Sequence, residues 1–345
     1  MGMSLSTPMK PTAPRSSGVG SKVGAFGMRA MKQYTFVDYA TQIYSALVAG
    51  LILLFHNSTV LYWQWLAGAH LVQMVVVHWL IVRQARNPFN KAVDFLRHFY
   101  PVFLFLWFFG ETGDLNRMFF TSYLDPAIIR WEQHLFGFQP SARFMEWLPY
   151  VAVSELFYSA YFSYYIMITG VGVALFRRDR AKFFHYISVV CFVFYICYLL
   201  YIIFPVVGPP MFYFQRTGQE LPLDLRDAFP NPVYPEAVKT GPLFQVMAFL
   251  YRMFDSPGAA MPSSHVAIAL CTLFFSFNYR LRLRHLHLVA AILLCCATIY
   301  CRYHYVMDVL AGILAAVLLI PLGNWLYGLS ERKSIRNAEA SCSGS

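Results

Sequence analysis

Eight long apolar runs divide the chain, and they constrain its fold more than any other feature. They lie at about 38–56, 59–82, 99–120, 150–176, 183–204, 264–279, 286–303 and 305–327. A helix needs about 20 residues to cross the hydrocarbon core of a bilayer. The sequence therefore predicts an all-α integral membrane protein with about eight transmembrane helices. The third run is interrupted by Glu111 and Asp114, and the sixth is short.

The composition of the chain excludes an ordinary soluble domain. Hydrophobic residues make up 58% of it and charged residues only 13%, whereas soluble domains carry about 25% charged residues. The formal net charge of +10 does not indicate a nucleic-acid partner, because the basic residues lie in short tracts between apolar runs and set the topology there. We therefore expect the lipid bilayer as a partner and no nucleic acid; the oligomeric state stays open.

Five basic segments predict the orientation of the helices. They lie within 1–35, 83–98, 177–182, 279–287 and 329–345. With eight spans, all five fall on the same side of the membrane, and the positive-inside rule makes that side cytoplasmic. The N- and C-termini are therefore predicted to be cytoplasmic. The first segment is expected to be a disordered basic tail, and the last a second cytoplasmic tail.

The opposite side receives two long connections, at about 121–149 and 205–262. The second is rich in proline, so we do not expect a regular domain there. Its apolar stretch 243–254 is typical of a helix, either lying on the membrane surface or packed within the loop. His265, at the start of the sixth apolar run, and His304, at the start of the last, both fall on this non-cytoplasmic side.

His304 and Asp308 open the last apolar run and are four residues apart. On a helix this spacing places them on one face. The carboxylate can then accept a hydrogen bond from one imidazole nitrogen and leave the other as a nucleophile. An Asp near a helix start is also a common structural cap. Because an ionisable pair at the mouth of a membrane helix is costly, we interpret the pair as functional.

The stretch PSSH, which begins at Pro262, opens the sixth apolar run. Pro262 suits a helix start, and Ser263 and Ser264 are good N-cap residues. Free amides at a helix N-terminus bind anions, and the serine hydroxyls add further donors. His265 in such a site is able to protonate a leaving oxygen as a general acid. A serine cap beside an interfacial histidine is the structural alternative.

Two further charged side chains belong to the candidate site. Arg302 lies two residues before His304, and its planar fork suits phosphate oxygens; contact with lipid headgroups is the alternative. Glu155 lies inside the fourth apolar run. There it would bind a polar headgroup or an acceptor hydroxyl, or it would pair with another helix for structure.

The two motifs resemble those of the type 2 phosphatidic acid phosphatase superfamily, whose members carry P-S-G-H and then S-R-x5-H-x3-D on a helical membrane core. PSSH is similar to the first motif, with Ser264 in place of Gly, and HYVMD at 304–308 is similar to the end of the second. The resemblance covers roughly residues 120–325. It implies a six-helix core within 99–328, preceded by two extra transmembrane helices within 36–98.

By this resemblance, His304 would attack phosphorus and form a phosphohistidine, and Asp308 would orient it. His265 would protonate the departing alcohol and then help water or another acceptor to attack. Ser263 and the amide of Ser264 would hold the phosphoryl oxygens. The implied substrate is a membrane lipid carrying a phosphate ester, and neither a metal nor another cofactor is expected.

The chain departs from the family pattern in two places. No K-x6-R-P motif precedes the first histidine motif; Arg216, six residues beyond Pro210, would partly substitute for it. The family arginine that precedes the catalytic histidine by six residues is Thr298 here, and the chain offers Arg302 instead. Both departures resemble the branch that contains inositol phosphorylceramide synthases and their bacterial relatives, as does LFGFQPS at 135–141. That branch transfers a phosphoryl-headgroup unit to an alcohol rather than to water.

The expected function is phosphoryl transfer on a lipid phosphate ester at the non-cytoplasmic face, by a lipid phosphatase or an inositolphosphotransferase-like enzyme. A transporter would also suit eight spans with buried acids, but no pair of broken spans related by internal symmetry is evident. A zinc enzyme using His265, His304 and Asp308 is the third hypothesis, although H-x3-D alone is not a zinc motif. The lipid itself is not specified. A bacterial inner membrane is favoured because the N-terminal tail lacks a clear sorting signal, with the Golgi or another endomembrane as the location in a eukaryote.

Overall fold

The described part of the chain consists of helices and the connections between them. The computed structural model describes residues 34–209, 217–218, 220–226, 229, 233–254 and 256–342. Its helices are, in chain order, α1 (Phe36–Phe55), α2 (Trp63–Arg86), α3 (Lys91–Leu115), α4 (Asp125–Phe136), α5 (Pro140–Trp147), α6 (Val151–Arg178), α7 (Arg180–Ile203), α8 (Leu223–Arg226), α9 (Glu236–Lys239), α10 (Pro242–Phe254), α11 (Ser264–Asn278), α12 (Arg284–Tyr300) and α13 (Val306–Cys342). No strand occurs among the described residues, so the predicted all-α fold is confirmed.

Among the described residues, six helices are long and apolar enough to cross a membrane: α1, α2, α3, α6, α7 and residues 306–333 of α13. Helices α11 and α12 are apolar but have only 15 and 17 residues. At 1.5 Å per residue they span about 23 and about 26 Å, less than the roughly 30 Å of a hydrocarbon core. The helices thus support an integral membrane protein, while the count of eight spans and the orientation of the termini stay predictions.

Helix α7 lies at the centre of the bundle. It is apolar on every side, and a helix of this kind is stable only when it is enclosed. Helices α1, α3, α6, α11 and α13 all contact it, and side chains such as Cys197 and Tyr201 are fully buried. Helix α7 therefore sets the relative positions of α11 and α13, which carry the two predicted motifs.

Helices α1 and α2 pack against one side of this bundle, and polar contacts attach α1 to α3 and α7. Asp38 near the start of α1 pairs with the buried Arg97 of α3. Farther along α1, the hydroxyl of Thr41 bonds the hydroxyl of Tyr195 on α7 over 2.9 Å. Helices α1 and α2 correspond to the extra pair expected from the sequence. Helix α3 begins before residue 99, where the core was expected to start.

The basic connections meet at one end of the bundle. Arg180 at the start of α7 pairs with Asp94 of α3 over 2.9 Å, and the Lys182 ammonium lies over the ring of Tyr279, just after α11. The N-termini of α11 and α13 therefore lie at the opposite end, because α11 and α13 both run toward the basic end. The two predicted motifs and the basic connections occupy opposite ends of the molecule.

Candidate active site

The N-termini of α11 and α13 contact each other directly. The amide of Ser263, just before α11, donates to the carbonyl of Asp308 on α13 over 2.9 Å. Gly312, one turn farther along α13, packs so closely that a Cβ atom there would lie 2.6 Å from the Ser263 carbonyl oxygen. The structure thus brings together two motifs that are far apart in the sequence.

His304 lies in the short connection between α12 and α13. Its amide donates to the Thr298 carbonyl over 3.0 Å, and the turn before it passes through Arg302 in the left-handed region, at φ +61°. Nδ1 of His304 lies 3.3 Å from Oδ2 of Asp308, which also accepts the amide of Tyr305 over 2.9 Å. When an ionised Asp308 accepts from Nδ1–H, Nε2 of His304 keeps its lone pair.

The protonation state of His304 follows from its burial. Only 4% of the residue is exposed, and burial lowers the pKa of His304 to about 3, against the opposing effect of a hydrogen bond to the backbone of Ala260. The imidazole is therefore neutral at neutral pH. A neutral imidazole with a free lone pair is the form that acts as a nucleophile.

The imidazole of His265 lies next to that of His304. His265 belongs to the first turn of α11, and the two ring centroids are 5.8 Å apart. The rings of Tyr161 and Tyr164 on α6 lie 5.0 and 4.7 Å from the His265 ring and limit its movement. The two imidazoles are close enough to act on one substrate group, one as a nucleophile and the other as an acid or base.

The two serines of PSSH already have partners within the protein. Ser263 caps α11, because its hydroxyl oxygen accepts the amide of Val266 over 3.4 Å. The amide of Ser264 donates to the hydroxyl of Tyr201 over 3.0 Å, and that hydroxyl donates to the Pro262 carbonyl over 2.9 Å. Sequence reasoning missed Tyr201, because a tyrosine inside an apolar run carries no sign of its partner. Phosphate binding by the serines stays a prediction.

Arg302 is buried beside the turn that presents His304. Its guanidinium donates to the carbonyls of Ala142 and Val233 over 3.1 and 3.2 Å and lies 3.7 Å from the Glu146 carboxylate. These contacts join α5 and the segment before α9 to residues 301–305 between α12 and α13, which we call the His304 turn. A phosphate contact by Arg302 stays a prediction, and the structure adds a structural role for the same side chain.

Glu155 on α6 caps a neighbouring helix. Its carboxylate accepts the amides of Leu243 and Phe244, at the start of α10, over 2.9 and 3.2 Å. Helix α10 confirms the helix predicted over the apolar stretch of the second long connection. The contact corresponds to the helix-pairing alternative for Glu155, and its headgroup role stays a prediction. Arg216, the other predicted headgroup contact, lies outside the described residues.

Two buried carboxyl groups on α4 were not predicted. Asp125 accepts the amides of Val207 and Gly208, each over 2.9 Å, and the hydroxyl of Tyr305 over 3.1 Å. Glu132, two turns farther along α4, accepts the amide of Met307 over 3.0 Å. An Asp-Pro pair at a helix start is a recognisable signal for α4. Nothing in the local sequence indicates that its acids reach the His304 turn and the start of α13.

Burial strongly affects both of these acids. Desolvation raises the pKa of Asp125 to about 7 and the pKa of Glu132 to about 7, in each case against the effect of the backbone amides that they accept. The negative charge of Asp308 adds to the shift of both groups. The predicted His304–Asp308 pair therefore belongs to a larger buried cluster of ionisable groups.

The described residues contain no group of three or more His, Cys, Asp and Glu side chains arranged to hold a metal ion. The zinc hypothesis thus gains no support from the arrangement of His265, His304 and Asp308. His304 and Asp308 lie within hydrogen-bonding distance of each other, and His265 contacts the rings of its neighbours.

A family model described as PAP2 superfamily matches residues 126–322, more than half of the chain. The match includes α11, the His304 turn and the part of α13 up to residue 322, and it begins within α4. No curated protein and no solved structure matches the chain.

Proposed function

Because the chain belongs to the PAP2 superfamily, we propose that it catalyses phosphoryl transfer on a lipid phosphate ester through a phosphohistidine at His304. Membership in this superfamily supports an enzyme that acts on phosphate esters, and the long apolar helices support its place in a membrane. The lipid substrate and the covalent intermediate are the proposed parts.

One observation carries the assignment of roles: the hydrogen bond from the Ser263 amide to the Asp308 carbonyl joins the two motifs. This contact lies at the point where the two histidine motifs, which belong to separate helices, meet. The imidazoles of His265 and His304 lie 5.8 Å apart between centroids, beside the N-terminus of α11, which favours an anion.

The proposed reaction has two steps. In the first, Nε2 of His304 forms a bond to phosphorus and the bond from phosphorus to the departing alcohol oxygen breaks. Before the substrate binds, His265 is neutral, because burial lowers its pKa to about 3; it takes up a proton as the anionic phosphate binds beside it and gives that proton to the departing oxygen. In the second, neutral His265 takes a proton from the acceptor, whose oxygen bonds to phosphorus as the phosphorus–nitrogen bond breaks. Asp308 accepts from Nδ1–H throughout and favours the charge that develops on the imidazole ring.

The proposed face is the non-cytoplasmic one. The site lies at the end of the bundle opposite the connections that carry the basic tracts. Since basic connections stay on the cytoplasmic side, this arrangement supports a site that opens to the other side. It also agrees with a substrate that is drawn from the outer or lumenal leaflet.

The proposed acceptor is an alcohol, as in the inositolphosphotransferase-like branch, rather than water. The support is the absence from the sequence of the upstream K-x6-R-P motif, together with the engagement of Arg302 by backbone carbonyls. A phosphatase that handles a doubly charged phosphomonoester gains most from several cationic side chains. A phosphodiester carries only one negative charge.

The test is an assay of the purified full chain in detergent, with labelled phosphatidylinositol in the presence and absence of ceramide, and with phosphatidate alongside. A phosphoinositol-ceramide product that requires ceramide would support the transferase, and free phosphate from phosphatidate would support the phosphatase. His304→Ala should abolish either activity while the protein still folds. A trapped phosphoenzyme labelled at any residue but His304 would contradict the mechanism.

A further inference from the structure

The carboxylate of Glu132 caps the helix that carries Asp308. Its Oε1 accepts the amide of Met307 over 3.0 Å, and it also hydrogen-bonds the backbone of Val306. These are the first residues of α13, whose amides have no partner within their own helix. A side chain from α4 thus completes the N-terminus of α13.

Asp125 hydrogen-bonds Tyr305, the residue just before these two amides. It lies seven residues before Glu132, which is two turns and the same face of α4, and it accepts the Tyr305 hydroxyl over 3.1 Å. Helix α4 therefore contacts the chain at Tyr305, Val306 and Met307. These are the three residues that separate His304 from Asp308.

The negative charge of Asp308 opposes the ionisation of Glu132, and the effect of one charge on another is reciprocal. Glu132 is fully buried, as is Asp308. Among the described residues, Oε2 of Glu132 and Oδ1 of Asp308 have no hydrogen-bond partner. Two carboxylates that share a desolvated site do not ionise independently, because each charge opposes the other.

We propose that Glu132 is a positioning residue of the phosphoryl-transfer site, which fixes the first turn of α13 and couples the ionisation of Asp308 to pH. This inference rests on the proposed function. It adds a residue that neither histidine motif contains, and it assigns α4 a part in catalysis.

The physical reason is the role of Asp308 in orienting His304. An ionised Asp308 accepts from Nδ1–H of His304, whereas a protonated one does not hold the tautomer in the same way. A nearby negative charge on Glu132 opposes that ionisation. His304 and Tyr305 contact the Asp308 carboxyl group. The charge of Asp308 also affects the ionisable groups of Tyr201 on α7 and, on α4, of Asp125 and Glu132.

The two effects of Glu132 are separated by two substitutions. Glu132→Ala removes both the acceptor for Met307 and the charge. Glu132→Gln keeps a carbonyl oxygen for Met307 and removes only the charge. Glu111→Gln is the matched control. Glu111 is also a buried acid, but it lies on α3, 3.2 Å from His70, and among the described residues no hydrogen bond or ion pair joins it to the His304 turn.

The expected results differ between the variants. Glu132→Ala should lower kcat by about 10- to 100-fold with KM nearly unchanged, which is the usual effect of losing a group that orients a catalytic residue. Glu132→Gln should lose less than Glu132→Ala. In the pH profile of kcat/KM for Glu132→Gln, the acid limb should move to lower pH by about one unit or more, since the like charge that opposes the ionisation of Asp308 has been removed. Glu111→Gln should leave kcat and the pH profile unchanged.

A second readout does not depend on the lipid. Orthovanadate adopts the five-coordinate geometry of a phosphoryl-transfer transition state, so its binding reports whether His304 is correctly placed. Its dissociation constant can be measured from thermal stabilisation of the detergent-solubilised protein. Glu132→Ala should weaken vanadate binding by about 10-fold or more, and Glu111→Gln should not.

The outcomes separate this inference from the proposed function. If the wild type turns over lipid in a His304-dependent way, but Glu132→Ala matches it in kcat and vanadate binding, the positioning role is overturned and the function stands. If the pH profile of kcat/KM for Glu132→Gln superimposes on that of the wild type, the coupling to pH is overturned. If Glu132→Ala does not fold, the comparison of Glu132→Gln with the wild type tests the proposal by itself. Wild-type protein that neither binds vanadate nor acts on any lipid overturns both proposals.

Discussion

Gly312 packs directly against the backbone of Ser263. A Cβ atom at Gly312 would lie 2.6 Å from the Ser263 carbonyl oxygen and 3.1 Å from Cβ of Val266. Because the nearest atom belongs to the backbone, no side-chain rotation relieves the clash. The close approach of α13 to α11, and with it the meeting of the two histidine motifs, depends on a residue without a side chain at this position.

Gly312→Ala should therefore separate the two motifs. We expect an unfolding free energy lower by about 1 to 3 kcal/mol, as for other overpacked sites, and a fall in kcat of about 100-fold, since misplacement by about 1 Å costs that much. Thermal unfolding and lipid turnover measure the two effects. Gly328→Ala in the same helix is the control, because a Cβ atom there would meet nothing within 4 Å; unchanged activity in Gly312→Ala would contradict the prediction.

Asp308→Asn should impair catalysis without disturbing the fold. The amide keeps the size of the side chain but no longer favours Nδ1–H of His304, which lies 3.3 Å from Oδ2. We expect kcat to fall by about 100- to 10,000-fold, the range set by the corresponding change in a catalytic triad. The yield of labelled phosphohistidine should fall with it. A variant with wild-type kcat would show that Asp308 serves only as a cap.

Tyr201→Phe should loosen the PSSH turn. It removes a hydroxyl that donates to the Pro262 carbonyl over 2.9 Å and accepts the Ser264 amide over 3.0 Å, which leaves two buried backbone groups without this partner. We expect a loss of about 1 to 3 kcal/mol in unfolding free energy and a fall in kcat of about 10-fold.

The control for Tyr201→Phe is Tyr186→Phe on the same helix. The buried Tyr186 hydroxyl donates to the Ile168 carbonyl over 3.1 Å and bonds Thr272 over 3.2 Å. Its loss should reduce stability by a similar amount and leave kcat unchanged. An equal loss of kcat in both variants would mean that the effect of Tyr201 is only one of stability.

Stability should depend on pH through Glu132. Burial raises the pKa of Glu132 from its ordinary value of 4.5 to about 7. Between these values the folded protein binds a proton that the unfolded chain has lost, so stability falls as pH rises through this window. The difference between wild type and Glu132→Gln in unfolding free energy should change by up to about 3 kcal/mol across it.

The measurement is the unfolding free energy of both proteins in detergent from pH 4.5 to pH 8. Wild type should lose stability relative to Glu132→Gln as pH rises, and the difference should level off above about pH 7. If the difference in unfolding free energy stays constant over the whole pH range, the pKa of the Glu132 carboxyl group is not raised. Asp125 is present in both proteins, and Glu132 is not among the groups that shift its pKa, so we expect no contribution from it to the difference.

The roles inferred from the sequence fall into two groups. The long helices follow from apolar runs, and the pairing of His304 with Asp308 follows from a spacing of four residues, although His304 lies in the turn before α13 and not on the helix itself. Helices α4 and α5 were not predicted. The partners of Arg302 and Glu155 were not predicted either. Both side chains satisfy backbone groups on other helices, and no local pattern specifies such a partner.

The sequence by itself determined that the chain is helical, that it belongs in a membrane, and which histidine motifs are the candidates for catalysis, because hydrophobicity and motif spacing are properties of neighbours along the chain. Only the tertiary structure decided that Ser263 bonds Asp308, that Tyr201 holds the PSSH turn, and that Glu132 caps α13. These contacts join segments that are distant in sequence. They depend on how α4, α7, α11 and α13 pack together, and that packing is settled by the whole bundle at once.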